Sequence, residues 1–172
     1  METNISKNRK SYFLALFLVG IFNNNGYTLV QAAASDLATV FDQEQFMGFF
    51  LFFMILFGAG SRLVNGACCV NIKHTTRIGI VTMFTLCSFI AIAVCCMNSD
   101  KPIFFYVAIA ASVFTGISQS FGEAVFLGFL KGYPSDMVGD VSVGTGFAGI
   151  FATGSLLGAK AIGLTNQALF FI

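Results

Sequence analysis

Charge is what this sequence has least of. Only 10 % of its 172 residues are Asp, Glu, Lys or Arg, against about 25 % in an ordinary soluble domain. That deficit, with 56 % hydrophobic residues and 22 phenylalanines, places the chain in a bilayer. The net charge is +1, so no strong field draws in nucleic acid, and no basic aromatic surface offers it a seat. Histidine is nearly absent too: the single His74 removes Ser-His-Asp, Cys-His and His-ligated metal chemistry from consideration. The cysteines are Cys68, Cys69, Cys87, Cys95 and Cys96. None is spaced C-x-x-C, so neither a zinc site nor a redox motif is supported, and their odd number argues against a complete disulfide framework. No enzyme, metal or cofactor is expected.

What is there is a series of apolar stretches long enough to span a bilayer, which takes about 20 residues. The pattern predicts an all-α integral membrane protein, one transmembrane domain over residues 1–172. Its five spans are expected at 11–34, 46–70, 78–97, 103–130 and 141–164. Residues 167–172 read as the first turns of a sixth helix. Lys7, Arg9 and Lys10 before an apolar run, with Ala32-Ala33-Ala34 later, imitate a secretory signal. Asn23-Asn24-Asn25 interrupts that pattern, and the segment reads instead as a retained first span. Loops are expected at 35–45, 71–77, 98–102 and 131–140, with His74 a solvated residue of the second. Lys7, Arg9, Lys10, Lys73, Arg77 and Lys131 fall on one side of the membrane and Lys101 and Lys160 on the other. The positive-inside rule then puts the N-terminus in the cytoplasm, where the Asn4-Ile5-Ser6 sequon would stay unmodified.

Two residues break the apolar pattern most sharply, Arg62 and Glu123. Ionisable groups inside a span mark function by default, because lipid disfavours them. Spans two and four both run inward, and the two residues lie about eight and about seven positions from the cytoplasmic ends, which at ~1.5 Å per residue is one depth. Opposite charges at one depth suit either a structural ion pair or a solute or proton path. Gln119 and Ser120 share a helical face with Glu123, and that polar stripe fits a path or a buried network. Asn23, Asn24 and Asn25 form a second polar island whose amides need partners inside the protein, by holding helices together or by touching a solute. Gly144-Thr145-Gly146-Phe147-Ala148-Gly149 matches G-x-G-x-x-G, but it opens a span and lacks the strand and the downstream acid of a nucleotide fold. Close helix packing is the better account of Gly122, Gly144, Gly146, Gly149, and of the G-x-x-x-G pairs Gly128/Gly132 and Gly154/Gly158. Cys68-Cys69 at a membrane edge suits either reversible palmitoylation or two small apolar residues.

Residues 118–149 also carry a resemblance. Gly122-Glu123, then Tyr133-Pro134, then Ser142-x-Gly144-Thr145-Gly146-x-Ala148-Gly149 resemble the battenin family of lysosomal and vacuolar membrane proteins, those of ceroid lipofuscinosis. Asn23-Asn24-x-x-Tyr27 followed by Ala33-Ala34-x-Asp36 is similar to that family's first helix. The resemblance covers the family's N-terminal half only. It implies half of a major-facilitator-like bundle, an endomembrane location, and roles in lysosomal or vacuolar pH and solute balance. Basic amino acids or glycerophosphodiesters are the implied solutes, with proton coupling open and a second half or a second copy as partner. The competing class is a non-transporting scaffold or regulator of endolysosomal trafficking.

Overall fold

The computed structural model describes residues 8–164 and Phe170, and the regular elements among those residues are all helices. In chain order the elements are α1 (Arg9–Ala32), α2 (Ala34–Val40), a 3-10 turn (Glu44–Phe46), α3 (Met47–Cys68), α4 (His74–Met97), α5 (Ile103–Leu130) and α6 (Asp136–Ala161). All but α2 and the 3-10 turn are long and apolar enough to cross a membrane. The amino-terminal sequon, and all but Phe170 of the expected sixth-helix start at 167–172, lie outside the described residues.

The fourth span has the expected bounds, because Pro102 and the Gly132-Tyr133-Pro134 break punctuate it. Other boundaries moved toward the polar side. α4 starts at His74 rather than at 78, so His74 and Arg77 are helical rather than in a loop. α6 starts at Asp136 rather than at 141, with Asp136 in its first turn, where the helix dipole favours an acid. The first span breaks at Ala33, and the short α2 occupies most of the loop expected at 35–45. α3 runs unbroken through Gly58–Arg62. Gly163, at φ +77°, closes α6 in the left-handed conformation that glycine favours.

α5 is the hub, packing against α3, α4 and α1, while α1 packs chiefly along α6. Each interface uses a device suited to lipid, where no hydrophobic force draws helices together and close approach has to do the work. Along α3 and α5, glycines let backbones touch: a Cβ on Gly116 would strike the Met54 carbonyl, and one on Gly58 would meet Ser120 Oγ and the Gly116 carbonyl. α4 and α5 are clasped by hydroxyls, Thr85 to Ser118 at 2.5 Å and Ser88 to Thr115 at 2.6 Å. At one end of the bundle Phe105, 1 % exposed, takes Phe41 and Phe50 edge-on, and Ala34 and Leu37 of α2 belong to the same buried cluster.

α1 and α6 run parallel and are fastened along their whole length. Arg9 reaches both oxygens of the buried Asp140, at 2.5 and 2.9 Å, and also Asp136 at 3.2 Å. Lys160 meets Asp36 at 2.5 Å at the far end. Between them Asn24 Nδ2 donates to the Thr145 carbonyl (3.1 Å) and Thr28 Oγ1 to the Ala148 carbonyl (3.3 Å). Gly20 and Gly144 let this happen, since a Cβ on either would collide with the other helix's backbone.

The glycine expectation is therefore met selectively. Gly144 sits against α1 and Gly122 against Asn23, but Gly132, Gly146, Gly149, Gly154 and Gly158 have open space where a Cβ would stand, and Gly128 only the distant edge of His74. Spacing alone cannot say which side of a helix meets a neighbour, and these glycines lie on outward faces of this bundle. The G-x-G-x-x-G run lies within α6 with no strand among the described residues. Gly144→Ala should lower stability by about 1–3 kcal/mol through overpacking. Gly146→Ala, into open space, should stay within about 0.5 kcal/mol of the parent. Thermal unfolding in detergent measures both, and equal effects would contradict this packing.

Candidate functional site

The parallel packing of α3 on α5 brings Arg62 and Glu123 together. Met54 lies against Gly116, Gly58 against Ser120, and one turn further Arg62 meets Glu123. The Arg62 Nη2 to Glu123 Oε2 distance is 2.5 Å. Both residues stand six to seven positions before their helix ends at Cys68 and Leu130, about 9–11 Å in from that end of the bundle. The pair is not sealed: its side chains are 50 % and 31 % exposed.

Polar neighbours arrive from α5 and α1. Gln119 Nε2 donates to the same Glu123 oxygen at 3.2 Å, and Ser120 Oγ donates to Gln119 Oε1 at 3.0 Å. Asn23 Nδ2 donates to the Gln119 backbone carbonyl at 3.2 Å. Its Oδ1 is buried without a partner among the described residues and lies where a Cβ on Gly122 would be. Gly122 is thus what admits the Asn23 amide to α5. Arg62, Gln119 and Ser120 open onto a cavity of about 320 Å³ shared with Tyr27, Met54, Ile55 and Ala59.

Of the residues expected at a path, Arg62, Glu123, Gln119 and Ser120 form one connected group. Asn23 touches it through the Gln119 backbone, and lines a separate groove with Val81 and Thr85 on the other side. Asn24 does not belong to it: its side chain faces α6 and holds Thr145. Successive amides point about 100° apart, so only one of them could face α5. Two polar sites were missed. Arg9–Asp140 was readable in principle from Asp136 and Asp140, one helical turn apart. The buried Arg77, held by Asn65 and His74, left no such trace, because a basic turn is an ordinary flank of a span. No group of His, Cys, Asp and Glu among the described residues could hold a metal.

Chemically the site is a half-exposed ion pair. Arg62 can take an anion in place of Glu123, Glu123 can take a cation or a proton in place of Arg62, and Gln119 can follow either because an amide both donates and accepts. Direct contact has a simple test. Arg62→Glu should lower abundance in the membrane several-fold by setting two carboxylates side by side, and adding Glu123→Arg should restore it. Failure of the swap to restore abundance would separate the two residues.

A family model described as CLN3 protein matches residues 14–172. Battenin of Dictyostelium discoideum is 32 % identical over 160 residues, covering 93 % of this chain and 37 % of that protein. Protein BTN1 of Cryptococcus neoformans var. neoformans serotype D is 28 % identical over 162 residues in each of strains B-3501A and JEC21, covering 90 % of this chain and 29 % of theirs. The chain thus spans about a third of the length of the curated relatives it matches. No solved structure matches it. With five helices able to cross a membrane and a family model that matches nearly its full length, this multi-pass membrane protein belongs to the CLN3 protein family.

Proposed function

We propose that this chain belongs to the N-terminal, major-facilitator-like half of a solute transporter of the lysosomal or vacuolar membrane, its amino terminus in the cytoplasm, and that Arg62 and Glu123 lie on its solute or proton path. The observation that carries the reading is the half-open ion pair. A purely structural pair inside a membrane is expected to be shut away from lipid and water, since neither charge is tolerated in hydrocarbon. Here Arg62 instead lines a cavity with Gln119, Ser120 and Tyr27 at its wall, and Glu123, held by Arg62 and Gln119, is still 31 % exposed. The chemistry suits the solutes implied by the battenin resemblance. The ammonium or guanidinium of a basic amino acid would compete for Glu123, and the phosphate of a glycerophosphodiester for Arg62. Protonation of Glu123 would release Arg62 and couple the two events.

Magnitude separates this reading from a structural one. Breaking a sealed pair costs about 3–5 kcal/mol because a charge is left buried and alone, whereas a solvated pair is worth about 0–1 kcal/mol. Glu123→Gln in the complete protein should therefore reach its membrane at near-normal abundance, yet lose pH-dependent solute handling by about a hundred-fold or more, the usual scale for losing a positioned proton donor or acceptor. Degradation of the variant would make the pair structural. Normal abundance with normal solute handling would leave the carboxylate without a role in transport and favour the scaffold reading.

A further inference from the structure

Three helices supply the polar wall of the cavity beside the ion pair: Tyr27 from α1, Arg62 from α3, and Gln119 and Ser120 from α5. Most of these groups already have partners inside the protein. Arg62 holds Glu123. Gln119 donates through Nε2 to Glu123 and accepts through Oε1 from Ser120. Tyr27 differs, because its hydroxyl has no hydrogen-bond partner among the described residues. A phenol normally pairs its hydroxyl when it is enclosed, and hydrocarbon offers no partner. Tyr27 is half-buried and lines the cavity, so the cavity is the space open to that hydroxyl.

Packing and helix direction aim it. Tyr27 packs against the buried cluster that holds Val30 and Met54, which restrains the ring. Leu16 of α1 packs on the cluster at Leu130 of α5, and Asn23 meets Gln119, so α1 runs antiparallel to α5. Tyr27, one turn beyond Asn23, is then level with Gly116, which lies against Met54. Met54 stands eight residues before Arg62 on α3, about 12 Å along the helix. Side chains on a helix lean toward its amino end. With α1 antiparallel to α3, Tyr27 and Arg62 lean toward each other from the two ends of the cavity.

Arg62 is the one charged residue in this wall among the described residues, and Glu123 is not part of it. The charge that a solute meets from the cavity is therefore positive. Resting on the reading of this cavity as part of a solute path, we propose that Tyr27 is a specificity-determining residue. Arg62 takes the anionic end of the solute, and the Tyr27 hydroxyl takes a hydrogen-bonding group at its other end.

A phenol both donates and accepts, so the far group can be a hydroxyl or an ammonium. A solute with the same anionic end and an apolar tail would leave the Tyr27 hydroxyl unpaired. Discrimination comes from that cost, as it does wherever a site is built to hydrogen-bond part of its substrate. The cavity holds about 320 Å³, room for a small solute, and side chains that lean together let a short molecule touch both.

The test uses two matched pairs of probes on the complete protein in neutral detergent, with affinity read from the concentration dependence of thermal unfolding. Lysine and norleucine differ only in the terminal ammonium. Glycerol 3-phosphate and propyl phosphate differ only in two hydroxyls. In the pair that binds, the polar member should bind about three- to ten-fold more tightly than its apolar match, the scale of one hydrogen bond. Tyr27→Phe, which keeps the ring, should bring that ratio to about one, and Arg62→Gln should weaken both members. A ratio that persists in Tyr27→Phe, with binding still dependent on Arg62, would overturn the role of Tyr27 and leave the solute path standing. A ratio of about one in the parent would overturn that role without any variant. Binding of neither pair, or binding indifferent to Arg62→Gln, would overturn both readings.

Discussion

Hydrocarbon offers no hydrogen bonds, and most contacts between helices in this protein answer that constraint. Thr28 bonds the Ala148 carbonyl, Ser88 bonds the Ala111 carbonyl, and Asn24 bonds Thr145. Glycine is the complementary device. It brings backbones within reach so that short side chains can find a carbonyl across the interface, as Gly20 and Gly144 do for α1 and α6. The parallel α1–α6 pair, with ion pairs at both ends, and the parallel α3–α5 pair are two arms joined through α5.

Against that background, the groups that are not fully satisfied stand out. Arg62 and Glu123 have each other but are left half open, and Arg77 is enclosed with no acid beside it among the described residues. These departures sit three residues apart on α3: Arg62 turns toward Gln119 and Tyr27, and Asn65 toward Arg77 of α4. Asn23 Oδ1 is a further such group, buried without a partner among the described residues. A solute or proton is the completion proposed for the half-open pair.

The sequence announced the helices because apolar length is a strong signal, and it announced α5's ends because proline and glycine punctuate them. It was a poor guide at α4 and α6, where the first two turns carry His74, Arg77, Asp136 and Asp140. Polar composition reads as loop, yet a helix can run on through it when neighbouring helices satisfy the charges. The Arg62–Glu123 contact was legible because both residues count inward from the same membrane face. Which of Asn23 and Asn24 belonged to the site was not, since that depends on which neighbours α1 has. The same ignorance made Gly146, Gly149, Gly154 and Gly158 look equivalent to Gly144, although only Gly144 faces α1.

The central claim is that the Arg62–Glu123 pair borders water rather than lipid or packed protein. Ala59 lines the cavity, and Leu63 on the same helix is 76 % exposed outside it. With the native cysteines replaced, Ala59→Cys and Leu63→Cys in the complete protein can be exposed to a charged, membrane-impermeant thiol reagent in open membranes. The account predicts that the cysteine at 59 reacts and that the one at 63 does not, because a thiol reacts through its hydrated thiolate. An unreactive cysteine at 59, with labelling restored only on denaturation, would contradict it.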